Sequence, residues 1–277
     1  MKKIWFIAII GLLAIFGAAC SNGETSAEEE KKEIKLGVSG TDTRIWDYVA
    51  KEAEKEGIKI EIVKFSDYVQ PNTALAEGEL DANAFQTVAY FDQFIKEHKL
   101  DLVPIATTVI APMAIFSEKY KKVEDIPDGA KIAVPNDTSN TGRALLLLEE
   151  AGLIKLEEGF DGLGSVESIV ENPKNLKIIP VVAAQTPRVL PDVAASVINN
   201  GIANDAGLNP TKGSIYHEDE TATDYINIIA VNQKDKDNKT LKRIAELYQT
   251  EGTKKFIEKE YDGNLIPTFV PLNEIGW

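Results

Sequence analysis

Cysteine is nearly absent: Cys20 is the single one in 277 residues, so the fold has no disulfide and rests on its core alone. Histidine is scarce too. His98 and His217 stand far apart with no cysteine near them, which leaves no recognisable metal-ligand spacing. The chain has no Gly-x-Ser-x-Gly elbow, no glycine-rich phosphate loop and no HExxH pair. With no activated nucleophile evident, the expectation is a protein that is not an enzyme and that needs no cofactor. Positive charge is in deficit: 30 Lys and Arg face 44 Asp and Glu, for a formal net charge of −14. An acidic surface repels phosphate backbones, which argues against nucleic acid as a partner. Long apolar runs are missing after the first twenty residues, so only the N-terminus is expected to enter a membrane.

What is present begins with that N-terminus. Met1-Lys2-Lys3 precedes an almost wholly apolar run over residues 4–16, then Gly17-Ala18-Ala19-Cys20. The run is shorter than the ~20 residues a spanning helix needs, and the pattern is that of a secretory signal. A cysteine just after the expected cut resembles a bacterial lipobox. Residues 1–19 are then a signal peptide, and Cys20 is the lipidated N-terminus on the extracytoplasmic side of the cell membrane. Gly17 stands where lipoboxes usually carry a leucine-like residue. The alternative reading of Cys20 is a free thiol in an uncleaved anchor or ordinary signal. Loss of Lys2 and Lys3 with the signal takes the formal charge to −16. Residues 20–33 are polar and poor in aromatics, which predicts a flexible tether, with a helical extension through the EEEKK run as the alternative.

From residue 34 the hydrophobic period changes repeatedly between two and about 3.6. Strands are predicted at 34–38, 58–65, 82–85, 102–110, 131–134, 176–182 and 225–232. Helices are predicted at 41–56, 71–78, 90–98, 140–151, 239–248 and 253–261. Alternating strands and helices imply an α/β fold with mostly parallel sheets.

Two segments could form a binding site. In Val134-Pro135-Asn136-Asp137-Thr138-Ser139-Asn140-Thr141-Gly142-Arg143 a strand runs into a helix, with Asn140 placed as the cap and Arg143 in the first turn. Free N–H groups and a guanidinium fork there would suit an α-carboxylate. The alternative is an ordinary capped helix with a surface arginine. In the second segment Tyr68, Phe85 and Tyr90 fall at element ends, where they would either wall an apolar side-chain pocket or simply pack the core.

The phrases FSDYVQPNTALAEGELDANAFQ, VPNDTSNTGRALLLLEEAGLIKL, AAQTPRVLPDV and YINIIAV resemble the NlpA/MetQ family of lipoproteins, the substrate-binding components of methionine ABC importers. The resemblance implies a type-II periplasmic-binding-protein fold: two α/β lobes, residues 34–112 with 225–277 and residues 113–224, joined by two crossovers around a ligand cleft. It implies a methionine-like, carboxylate-bearing ligand, delivered to an ABC permease and its ATPase. Carried across, the family's pocket residues are Tyr68, Tyr90, Asn140, Arg143 and Asn227. Two positions depart from the family: Thr87 replaces a histidine, and Gly201 replaces an asparagine. Either the ligand is not free L-methionine, but a derivative, another amino acid or a methionine-containing dipeptide, or Asn200 or a water takes over. A different class of reading is a surface lipoprotein in adhesion or signalling, with a vestigial cleft.

Overall fold

The computed structural model describes residues 32–277. The signal segment, Cys20 and the tether up to residue 31 lie outside the described residues. Glu33, taken from sequence as the last residue of the tether, is instead the first residue of β1 (Glu33–Ser39), paired with Lys59 of the neighbouring strand.

The chain continues through α1 (Arg44–Glu54), β2 (Lys59–Phe65), α2 (Gln70–Glu77), β3 (Ala82–Asn83), α3 (Val88–His98) and β4 (Leu102–Ile110). Ile45, Trp46, Val49 and Ala53 are the buried stripe of α1; the helix was legible from Ile45, Tyr48, Val49 and Ala53, of which Tyr48 is only half-buried and Trp46 takes its place in the core. Its end closes as a Schellman-type turn: Gly57 takes φ +76°, and Ile58 N–H donates back to Ala53 O at 3.0 Å. Residues 111–113 then carry the chain into β5 (Ala114–Phe116), β6 (Lys131–Pro135), α4 (Thr138–Glu150), β7 (Lys155–Leu156), β8 (Ile169–Glu171), β9 (Lys177–Val181), β10 (Ala195–Ile198), α5 (Asn200–Asp205), α6 (Pro210–Gly213) and β11 (Tyr216–His217). Residues 218–225 lead back to β12 (Ile226–Asn232), α7 (Lys239–Tyr248), α8 (Glu251–Tyr261) and β13 (Ile266–Pro267).

Two larger sheets result, of order β13-β4-β12-β3-β1-β2 and β11-β5-β10-β6-β9. Each has a parallel part, β3-β1-β2 in one and β10-β6-β9 in the other. Each also has an antiparallel part, through β12, β4 and β13 and through β5 and β11. The sheets are therefore mixed, not mostly parallel, because β12 and β13 run against the rest of the first sheet and β5 runs against the rest of the second. Separate apolar cores serve the two halves. Leu36, Val49, Leu241 and Ile257 lie in one, and Ile132, Leu145, Leu148 and Val197 in the other. Among the described residues no helix is long and apolar enough to cross a membrane.

Candidate functional site

A cleft of ≈310 Å³ opens between the two sheets, at the carboxyl ends of β1, β2, β3, β6 and β10. That is where open α/β sheets place ligands. Tyr68, Phe85, Thr87, Tyr90, Asn140, Arg143, Asn200, Gly201 and Asn227 all line it. The sequence-selected residues thus converge on one space from segments up to 159 positions apart.

One wall is aromatic. Ring centroids lie 5.9 Å apart for Tyr68 and Phe85, 6.0 Å for Tyr68 and Tyr90, and 6.2 Å for Phe85 and Tyr90. Tyr90 Oη donates to Tyr68 O at 2.9 Å, which locks the pair. Burial pushes both phenols well above the usual tyrosine range, so they stay neutral. The cluster is both packing and cleft wall; the two sequence readings do not compete.

The polar wall comes from α4. Its N-cap is Asp137, not Asn140: Asp137 Oδ1 accepts from Asn140 N at 3.0 Å. Asp137 has the extended backbone of a cap (φ −80°, ψ 147°), whereas Asn140 is already the third residue of the helix, and the charged oxygen of Asp137 meets the positive helix end. Asn140 instead sits within the first turn, its carboxamide held on both sides. Nδ2 donates to Asp137 at 2.9 and 3.1 Å, and Oδ1 accepts from Asn199 Nδ2 at 2.7 Å.

Arg143 is neither a surface arginine nor a free fork. It is 4% exposed, and its Nε and Nη2 donate to the two oxygens of Glu218 at 2.7 and 2.5 Å. Nη2 also donates to Ala111 O at 3.0 Å, and the guanidinium lies 4.3 Å over the Tyr225 ring. Burial pushes the Tyr225 phenol up to about 12, against the opposing pull of Arg143. Only Nη1 has no protein partner among the described residues, and Arg143 lines the cleft. Glu218 Oε2 accepts in addition from Met113 N at 2.7 Å. Ala111, Met113, Glu218 and Tyr225 all belong to the two connections between the sheets, so Arg143 bolts α4 to both.

Two further side-chain oxygens stand out. Asn199 Oδ1 and Asn227 Oδ1 are buried, line the cleft and accept no hydrogen bond among the described residues. Such groups are uncommon in folded proteins and suit a ligand's N–H donors. Asn200 differs from expectation. Its carboxamide is spent on Asn264 O at 2.8 Å, Pro112 O at 3.3 Å and Asn204 Nδ2 at 2.7 Å, so it has little left to replace a lost pocket group. Thr87 is the N-cap of α3, its Oγ1 accepting from Tyr90 N at 3.2 Å. A Cβ on Gly201 would meet no atom within 4 Å, so that side of the cleft is open.

Glu218 is the residue behind the cleft wall that the sequence did not reveal. It lies 75 positions from Arg143 and is one of 44 acidic residues in a chain where chance pairs are certain. Asp137 and Asn199 stood beside recognised residues, but their roles depend on hydrogen bonds that no spacing displays.

Two α/β lobes enclosing a cleft at their sheet ends make this a binding protein of the periplasmic type. The chain belongs to the NlpA lipoprotein family, whose sequence model matches residues 34–269. It is 41% identical over 276 residues to the uncharacterized lipoprotein YhcJ of Bacillus subtilis, covering 100% of this chain and 97% of that protein. It is 40% identical over 263 residues to the D-methionine-binding lipoprotein MetQ of Escherichia coli K12, covering 94% of each. Its fold is similar to that of a nutrient-binding protein from Burkholderia cenocepacia bound to methionine. The TM-score is 0.82 at 46% identity, over 85% of this chain and 100% of that one.

Proposed function

We propose that this protein is the solute-binding lipoprotein of an ABC importer, taking methionine or a close amino-acid or short-peptide relative into the cleft. One observation carries the reading. A single cleft combines a guanidinium edge at Arg143, orphan acceptors at Asn199 and Asn227, and an aromatic wall. These would take, in turn, a carboxylate, an ammonium and an apolar side chain. The relatives' names support the ligand class: MetQ is called D-methionine-binding, and the Burkholderia structure was bound to methionine.

In this reading residues 34–112 with 225–277 form one lobe and residues 113–224 the other. The lobes close by bending at the two connections, and the closed, loaded form is what a permease with its ATPase recognises. Cys20 carries the lipid that holds the protein at the outer face of the cell membrane. Thr87 and Gly201 leave the cleft roomier than in the family, which favours a longer ligand such as a methionine-containing dipeptide.

Isothermal titration with L-methionine, D-methionine and methionine-containing dipeptides tests the assignment, supported by mass spectrometry of whatever co-purifies. Saturable binding of at least one of them is expected; binding of none abandons the reading. Replacing Cys20→Ala is expected to release the protein from the membrane fraction with its melting temperature unchanged. A variant that stays wholly with membranes would refute lipidation at Cys20.

A further inference from the structure

We infer that Glu218 determines which charge type of ligand the cleft accepts, by cancelling the positive charge of Arg143 from behind. The inference rests on the reading that a ligand carboxylate meets Arg143. Glu218 does not line the cleft and is 7% exposed. It is a positioning and charge-setting residue, one layer removed from the ligand. Its two oxygens grip the Nε and Nη2 edge of the guanidinium, and the Tyr225 ring covers one face. Nη1 is left as the donor offered to the cleft. The geometry fixes the direction of that N–H, and the carboxylate removes the net charge behind it.

The remaining charges around the cleft sharpen the consequence. Asp42, Asp67, Asp137 and Asp205 also line it, and among the described residues Arg143 is the only cation that does. Of the four aspartates, Asp42 has an arginine partner, Arg44, outside the cleft lining. Asp67 accepts from the N–H groups of Val69 and Gln70, Asp137 from Asn140, and Asp205 from Thr41. With the Arg143 charge answered by Glu218, the cleft as a whole is negative. A ligand carboxylate is received by a directed hydrogen bond and not by surplus positive charge. A zwitterion brings its own cation and is accepted. A ligand with the carboxylate but no ammonium adds to the negative charge and is rejected. Fields of this kind act over several ångströms in a partly dry site, so a group that never touches the ligand can discriminate.

The test is calorimetry on the wild type, Glu218→Gln and Glu218→Asp with three probes: L-methionine, the anion N-acetyl-L-methionine and the cation L-methionine methyl ester. In the wild type L-methionine should bind tightest and the ester more tightly than the N-acetyl anion. In Glu218→Gln the affinity ratio of anion to cation should rise by about tenfold or more, because the Arg143 charge is uncovered. Glu218→Asp keeps the charge on a shorter arm, so all three probes should weaken while that ratio stays close to wild type. A merely structural Glu218 predicts that Gln weakens all probes by one common factor, and that result overturns the inference. If Glu218→Gln does not fold, the wild-type order decides, and an anion bound more tightly than the cation overturns it. A wild type that binds none of the three overturns the inference, and it brings down the proposed function as well where D-methionine and methionine-containing dipeptides also fail to bind; a wild type that binds L-methionine while the ratio fails to move brings down the inference alone.

Discussion

Arg143 spends its donors on Glu218 and Ala111 before any ligand arrives, and this changes what its removal should do. A free guanidinium at a cleft wall could be truncated at little expense to the empty protein. A buried one leaves Glu218 without its counter-charge, and breaking such a pair costs about 3–5 kcal/mol. Arg143→Ala is therefore expected to lower the melting temperature of the ligand-free protein substantially, and to weaken ligand binding by about tenfold or more. Differential scanning calorimetry and titration check the two parts. An unchanged melting temperature would mean that the Glu218 pair contributes nothing, and an unchanged affinity would remove Arg143 from the ligand's contacts. At this scale the sequence was informative where chemistry is local. Arg143 and Asn140 were readable from a strand-to-helix phrase of a dozen residues. Glu218 was not, because only folding brings residue 218 to residue 143, and nothing in the run Glu218-Asp219-Glu220 singles out its first member.

Helix starts are the elements that shape the cleft, and they respond differently to substitution. Thr87 caps α3 through Tyr90 N and faces the cleft, so the position serves stability and binding together. Replacing Thr87→Ala should cost about 1 kcal/mol of stability, as loss of a threonine cap usually does. A histidine there would forfeit the same cap, and its gain in the pocket must exceed that loss. Gly201 lies in the first turn of α5, its position exposed and free of neighbours. Gly201→Asn should leave stability unchanged or slightly higher, since glycine is a poor helix former, while placing a carboxamide in the open side of the cleft. Its affinity for L-methionine should then rise relative to methionine-containing dipeptides. Thermal melts and paired titrations read both variants; a destabilised Gly201→Asn protein, or an unchanged preference, contradicts this account. The longer elements were legible because their apolar stripes persist over two or more turns, as in α1 and α7. The strands β5, β11 and β13 were not, for two or three residues are too few to show a period, and their pairing is decided by partners distant in sequence.

Several side-chain contacts hold the half that carries β1 against the half that carries α5, and one of them ties α5 to the loop after β1. Asp205, at the end of α5, accepts from Thr41 N at 3.0 Å and from Thr41 Oγ1 at 2.5 Å, across 164 residues of sequence. Gly40 makes the approach possible: it takes φ +93°, and a Cβ there would come within 2.9 Å of the Asp205 carboxylate. Close by, Asn264 Nδ2 donates to Asn204 Oδ1 at 2.8 Å. The α/β class followed from strand–helix alternation, and the two halves with a cleft between them from the family phrases. This latch did not, because a threonine in a loop and an aspartate at a helix end have no signature until the halves meet. The Thr41–Asp205 contact is exposed, so water competes for it and its strength is modest. The open and closed forms of a binding protein differ by only a few kcal/mol, however, and each ~1.4 kcal/mol changes their ratio tenfold. Asp205→Ala should therefore shift the ligand-free protein toward the open form without unfolding either half. Small-angle scattering should record a larger radius of gyration than in the wild type, and saturating ligand should restore the compact value. The ligand dissociation constant should rise with the fraction that has to close, because binding then includes that step. Equal radii for the two ligand-free proteins, together with equal affinities, would show that closure is held elsewhere, and the Asn204–Asn264 bond would be the next contact to break.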